Sequence, residues 1–229
     1  MLYFTGDTHG EQERLSKAAL RELSPGDTLI ICGDFGFIWD HSAKEQKFLD
    51  KLTKYRFNIC FLDGTHENFE LLETYPVVNF CGGAAHRIRR NVFHLMRGQI
   101  YEIEHKTLFT LGGGEPPESQ MQEDEELDAV RAEIPDKNEM LFAVENLQKH
   151  DYKVNYIATH EPPASIRDFL ALSEMNRREM SALGAFLDEL SKSASFEKWY
   201  FGSMHIDKHI SRSYTSVFRE LIPASEGEI

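Results

Sequence analysis

Five short segments carry the residues able to do chemistry, and they share one form. Asp7-Thr8-His9 follows the apolar run Tyr3-Phe4-Thr5, Gly33-Asp34 follows Ile30-Ile31-Cys32, and Gly64-Thr65-His66-Glu67 follows Phe61-Leu62-Asp63. Thr159-His160-Glu161 follows Tyr156-Ile157-Ala158, and Gly202-Ser203-Met204-His205 follows Trp199-Tyr200-Phe201. Each delivers a carboxylate or an imidazole just past an apolar run, often beside a glycine that permits close backbone approach. Taken singly, Gly-Asp after a strand is ordinary turn chemistry, and one histidine is more often structural than functional. Turns alone do not require Asp and His to recur at the ends of five runs. Carboxylate oxygens mixed with neutral imidazole nitrogens suit Mn²⁺, Fe or Zn²⁺, so the chemistry they imply is metal-assisted. The other six histidines, His41, His86, His94, His105, His150 and His209, lack this placement and are read as structural.

For these side chains to meet, the runs before them must be neighbouring strands, because ligands of open α/β sheets bind at strand carboxyl ends. Leu2 to Thr5, Thr28 to Cys32 and Phe57 to Leu62 read as buried strands. Helices are expected between them: Glu11 to Leu23, from Leu15, Ala19 and Leu23, and a second opened by the Ser42 and Glu45 capping pattern. From Val77 to Leu111 short runs follow one another without a helix (Val92 to Met96, Gln99 to Ile103, Thr107 to Leu111), which predicts hairpins and a mixed sheet. Gly112 to Gly114 reads as a flexible strand exit without the ending of a P-loop, and Glu115 to Ile134 as a solvated, acidic excursion. Strands and helices then alternate again. Asp136 and Glu139 cap a helix through Met140, Val144 and Leu147, and Val154 to Ala158 is a strand. Asn176 and Glu179 open a helix through Leu183, Leu187 and Leu190, and Lys198 to Phe201 and Ile206 to Phe218 are further strands. The expectation is an α/β fold, one domain over residues 1–229.

Composition narrows the partners. The 25 Lys and Arg against 38 Asp and Glu give a net charge of −13, the wrong sign for a protein that grips long nucleic acid through its phosphates. A small phosphorylated substrate remains compatible, because bound cations reverse the sign locally. No apolar stretch approaches the roughly 18 residues that span a membrane, and a strand beginning at Leu2 leaves no signal peptide expected. Three cysteines, Cys32, Cys60 and Cys81, make neither a disulfide framework nor a zinc cluster, which fits a reducing, cytoplasmic setting. His86 to Arg90 offers arginines to a phosphate, but a solvated hairpin edge is the more economical reading. Phe35, Phe37 and Trp39 are either an apolar wall near the metals or core.

In order and spacing the five segments resemble the signature of the calcineurin-like metallophosphoesterases: D-x-H, G-D, G-N-H-[DE], a later His, then G-H-x-H. The match runs from position 7 to 205. The resemblance implies mixed β-sheets forming a sandwich flanked by helices, with the metal site at strand carboxyl ends. It also implies hydrolysis of a phosphodiester or phosphomonoester, with two divalent ions activating water for in-line attack. Carried over by residue, the first metal belongs to Asp7, His9, Asp34 and His205, and Asp34 bridges to the second. The second belongs to Asp34, His160 and the positions that here hold Thr65 and Ser203, in place of Asn and His. Hydroxyls are weaker ligands than imidazole. One metal is therefore expected to bind firmly and the second weakly or not at all, unless Glu67 or Glu161 substitutes. His66 matches the imidazole beside the scissile phosphate, which with Asp34 makes the expected catalytic pair. Phe35-Gly36-Phe37 after Gly33-Asp34 departs from the continuation seen in protein phosphatases of this superfamily. The competing expectation is a non-catalytic module that binds a metal or a phosphorylated ligand on the same fold.

Overall fold

Alternation within the short strands decides the architecture. A computed structural model describes residues 1–115, 132–171 and 181–224. Strands β1 (Leu2–Thr5), β2 (Thr28–Ile31) and β3 (Asn58–Phe61) are almost wholly buried, so both faces of their sheet are covered. Leu2, Phe4, Ile30 and Cys60 point to one side, and Leu29, Ile31, Ile59 and Phe61 to the other. That period of two places alternate side chains in different cores.

Four further strands, β4 (Val77–Phe80), β5 (Gly83–Arg89), β6 (Val92–Leu95) and the short β13 (Ile222–Pro223), complete the first sheet, in the order β13-β1-β2-β3-β6-β5-β4. Pairing is parallel from β1 to β6 and antiparallel at both margins. The second sheet is β11-β12-β10-β9-β8-β7. It is built from β7 (Ile100–Ile103), β8 (Lys106–Leu111), β9 (Tyr156–Thr159), β10 (Lys198–Phe201), β11 (Lys208–His209) and β12 (Tyr214–Ser216). Both sheets are mixed, as the hairpin reading of the middle segment predicts.

The sheets pack face to face through Phe4, Ile30, Leu62, Leu108, Tyr156 and Tyr200, with the Phe4 and Tyr200 rings stacked at 3.8 Å. Helix α1 (Ala43–Leu52) and the short α2 (Phe69–Glu73) cover the outside of the first sheet. Helix α3 (Lys137–Lys149), the short α4 (Ala164–Leu170) and α5 (Ala182–Ser193) cover the second. The result is a helix–sheet–sheet–helix sandwich. Two helix starts read from the sequence are present: Ser42 accepts the Glu45 N–H, and Asp136 with Glu139 forms a full capping box. Ser181 caps α5, while Asn176 and Glu179 lie outside the described residues.

Three expectations are corrected. Glu11 to Leu23 is not a helix: a single 3₁₀ turn, Gln12–Leu15, ends at an extended Ser16. The residues buried there are Leu15, Leu20 and Leu23, whereas Ala19 is exposed, and the Ser16 hydroxyl accepts the Ala19 N–H. A serine that bonds nearby backbone competes with the helix. His86 is interior to the first sheet, because β5 lies between β4 and β6, while Arg87 and Arg90 are exposed toward the β5–β6 turn. Arg89 is held by Asp50 at 2.8 Å and Gln46 at 2.6 Å, and Arg90 by the Thr53 carbonyl. Gly112 to Gly114 is buried rather than loose, with Gly113 N–H given to Asp63 O and Gly114 N–H to Glu133 O. Most of the acidic excursion, residues 116–131, lies outside the described residues. Phe35 and Phe37 are core, and Trp39 is exposed. Among the described residues no helix is long and apolar enough to cross a membrane.

Candidate metal centre

The carboxyl ends of five strands, three from one sheet and two from the other, open at the same edge of the sandwich. Asp7 leaves β1, Asp34 leaves β2, Thr65 and His66 leave β3, His160 leaves β9, and Ser203 and His205 leave β10. The backbone turns abruptly there. Asp7, His9, Asp34, Ser203 and His205 all have left-handed φ, between 45° and 61°. That conformation costs a side-chain-bearing residue roughly 1–2 kcal/mol, and clusters of it mark places where a loop is held for function. Gly33 has φ 90°, and a Cβ there would fall 2.0 Å from His160 Nδ1, so only glycine lets the two sheets' exits meet.

Ligand-capable atoms of Asp7, His9, Asp34 and His205 all lie within 4.8 Å of one another. His9 Nε2 and His205 Nε2 are 3.1 Å apart with their rings nearly perpendicular, and His9 Nε2 is 3.6 Å from Asp34 Oδ2. Asp7 Oδ2 is buried and has no hydrogen-bond donor among the described residues. An orphaned oxygen on Asp7, whose other oxygen Oδ1 lies 4.0 Å from His205 Nε2, beside the facing His9 and His205 nitrogens, fits a divalent cation, which would satisfy these groups at once.

His160 stands between the two carboxylates, 3.7 Å from Asp7 Oδ1 and 3.7 Å from Asp34 Oδ1. Its Nδ1 lies 3.1 Å from the Cys32 carbonyl, which can only accept, so Nδ1 carries a proton and Nε2 is left toward Asp34. Thr65 and Ser203 are brought to the centre chiefly by their main chains. Thr65 N–H donates to Asp34 Oδ1 at 2.7 Å, and Ser203 N–H to Asp7 Oδ1 at 3.0 Å. The Thr65 hydroxyl pairs with His66 Nδ1 at 3.1 Å. His66 gives its N–H to Asp34 Oδ1 at 2.9 Å, places Nδ1 3.2 Å from Asp34 Oδ2, and leaves its side chain half exposed. The residues present thus fit one metal fully. For a second, only Asp34 and His160 offer strong ligands among the described residues.

Electrostatics follow from crowding charge in a dry corner. Burial pushes the Asp7 carboxyl up to about 7, with His160 pulling the other way. Burial would lower His160, but Asp34 and Asp7 outweigh it and carry the imidazole up to about 9. Burial likewise works to raise Asp34, while His160, His66 and His9 hold it below the ordinary carboxylate range. Without metal the centre therefore keeps protons on Asp7 and His160 where a cation would sit, and metal binding must expel them. Metal affinity is accordingly expected to rise with pH between about 6 and 9, with net proton release near pH 7. Calorimetry of Mn²⁺ binding in two buffers of different protonation enthalpy checks this, and equal heats in both would contradict it.

Glu67 does not act as a reserve ligand. Its carboxylate accepts Phe35 N–H at 2.6 Å and Gly36 N–H at 3.3 Å, bracing the loop just after Asp34. Burial, reinforced by the Asp34 charge, raises its carboxyl well above the usual range. Glu161 faces Arg167 at 4.0 Å. Glu67 lies in a strand-end segment and reads from its type as a spare ligand, whereas its place is that of a brace; Arg14, beneath Asp7, lies in no strand-end segment and carries no local signal.

No curated protein matches the chain. Among solved structures, phosphopantetheinyl hydrolase (PptH) from Mycobacterium tuberculosis is similar at 13% identity and TM-score 0.50, over 95% of this chain and 89% of that one. The sulfate thiohydrolase SoxB of Thermus thermophilus aligns at 13% identity and TM-score 0.42, over 93% of this chain and 38% of that one. At such identity the first likeness speaks to fold alone. The calcineurin-like phosphoesterase family model matches residues 2–193, which include Asp7, His9, Asp34, His66 and His160. The chain belongs to the calcineurin-like phosphoesterase family.

Proposed function

We propose that this protein is a metal-dependent phosphoesterase that hydrolyses a small phosphorylated substrate in the cytoplasm. Asp7, His9, Asp34 and His205 hold one divalent ion, Mn²⁺, Fe or Zn²⁺, and a second site built on Asp34 and His160 is weak. The observation that carries this reading is the convergence of those four side chains, their ligand-capable atoms within 4.8 Å of one another, with one buried Asp7 oxygen left unpartnered. The chemistry such an ion supplies is charge neutralisation at the phosphoryl oxygens and activation of water.

The protein's own groups do the rest. Asp34 orients the His66 loop through the Thr65 and His66 N–H groups, and it takes His66 Nδ1. That contact raises the His66 imidazole, so it stays protonated to higher pH, with Nε2 left to protonate the leaving oxygen. His160, 3.7 Å from each carboxylate, becomes a ligand once its Nε2 gives up its proton. A small ester, diester or monoester, is the proposed substrate rather than long nucleic acid, which the charge of −13 disfavours.

Hydrolysis of bis-p-nitrophenyl phosphate and p-nitrophenyl phosphate with added Mn²⁺ tests the reading. Turnover of either ester that a chelator removes is expected. A protein that binds Mn²⁺ yet turns over neither is the non-catalytic binding module instead, a reading favoured by one observation, the Thr65 hydroxyl being spent on His66. The Thr65→Asn, Ser203→His double variant separates a weakened enzyme from that module. It is expected to bind nearly two Mn²⁺ and to gain about tenfold or more in rate at low Mn²⁺, on the scale of ligand-sphere effects. A stoichiometry that stays at one, with no gain in rate, argues for the module.

A further inference from the structure

His205 is the least supported of the four convergent residues. Its side chain is about half exposed and its backbone is left-handed, so nothing on its own loop fixes the imidazole plane. The support comes from elsewhere in the chain. The His205 ring stacks on Phe218, with centroids 4.9 Å apart and planes 13° from parallel. Arg14 lies over the Phe218 ring at 5.3 Å. Its guanidinium also forks into the exit of β1, with Nη2 on Gly6 O at 2.9 Å and on Thr5 Oγ1 at 3.3 Å, Nη1 on Asp7 O at 3.4 Å, and a further bond to Phe218 O. The Phe218 carbonyl in turn accepts Gly6 N–H at 3.1 Å and the Thr5 hydroxyl at 2.8 Å. Asp207, two residues past His205, takes Phe218 N–H at 2.7 Å and Arg219 N–H at 2.9 Å, closing the loop between His205 and Phe218.

We infer that Arg14 and Phe218 are positioning residues for the first metal site: Arg14 locks the main chain of Asp7 and the Phe218 ring together, and the ring fixes the His205 imidazole. The inference rests on the assignment of Asp7 and His205 as ligands, and it adds two residues that act through those ligands. A planar fork is needed because one group must reach three main-chain carbonyls while lying over a ring, which an ammonium cannot do. The ring is needed because an imidazole held by stacking reaches the ion without first losing rotational freedom.

Co²⁺ titration of the metal-stripped protein, followed by its visible absorption, reads this without any activity. Phe218→Leu is expected to weaken Co²⁺ binding about 10–100-fold, the scale on which outer groups tune metal sites, and to shift the absorption band. Phe218→Tyr keeps the ring and is expected to restore both. Arg14→Lys keeps the charge but not the fork, and is expected to weaken binding while leaving the far-ultraviolet dichroism unchanged. Wild-type affinity and spectrum in Phe218→Leu and Arg14→Lys would overturn the inference, and so would a Phe218→Tyr variant as weak as Phe218→Leu. If Co²⁺ binds as described but no phosphoester is turned over, the phosphoesterase reading fails and this one stands.

Discussion

Asp34→Asn is expected to cost at least about 10³-fold in phosphoester hydrolysis and to weaken the first metal markedly, with the fold intact. The size of the effect follows from how many groups depend on one carboxylate. Asp34 Oδ1 receives the Thr65 and His66 N–H groups, and Oδ2 faces His9 and His66, all within 3.6 Å. His160 approaches Oδ1 from the opposite sheet at 3.7 Å. An amide is isosteric but neutral. Its oxygen would keep the main-chain N–H groups while its NH₂ turned toward the imidazoles, where it can donate but not ligate, so the cation would lose a charged ligand. Isothermal titration with Mn²⁺ beside a bis-p-nitrophenyl phosphate assay checks both consequences. Near-wild-type turnover in the variant would remove Asp34 from the centre of the account.

The largest loss of stability is expected one residue before the glycine of the His66 loop. Arg97 and Asp63 form a buried ion pair, with Arg97 Nε 2.8 Å and Nη2 2.7 Å from Asp63 Oδ2. Asp63 also takes His94 Nε2 at 2.9 Å, and Arg97 extends to Glu139 at 2.9 Å and to the Ala132 and Glu133 carbonyls. Burial alone would raise the Asp63 carboxyl, but Arg97 and His94 hold it below its ordinary range. A carboxyl depressed in the folded state adds stability above its unfolded pKa near 4, and that stability is lost as pH falls further. Arg97→Met leaves Asp63 buried with its principal cation gone and is expected to destabilise by about 3–5 kcal/mol. Urea unfolding at pH 7 reads this directly. A change below about 1 kcal/mol would mean that the pair is solvated and the network is not what anchors the end of β3.

Much of the positioning was legible in the sequence because it is local. Strand β1 occupies Leu2–Thr5 as read, both capping patterns are present, and Asp7, His9, Asp34 and His205, grouped by the family resemblance, lie together at the strand ends. What escaped depends on partners distant in the chain. Whether His86 to Arg90 lies at an edge is set by the order of strands, which no local pattern encodes. Glu11 to Leu23 offered a four-residue apolar spacing, but burial selects Leu20 over Ala19 and a serine breaks the turn. Thr65 and Ser203 read as hydroxyl ligands by type, whereas their exits from the strands present main-chain N–H groups to the carboxylates. Arg14 and Phe218 are separated by 204 residues and meet only once the sheets are assembled.

One ion, held at the junction of the two sheets, is proposed to make this chain a catalyst of phosphoester hydrolysis. A Mn²⁺ titration of the metal-stripped protein, following bound metal by electron paramagnetic resonance and bis-p-nitrophenyl phosphate turnover in the same samples, tests it most directly. Turnover is expected to appear as the first equivalent binds and to climb further only at much higher Mn²⁺, as the proposed second site fills. One equivalent bound tightly, with no hydrolysis at any Mn²⁺ concentration, would contradict it.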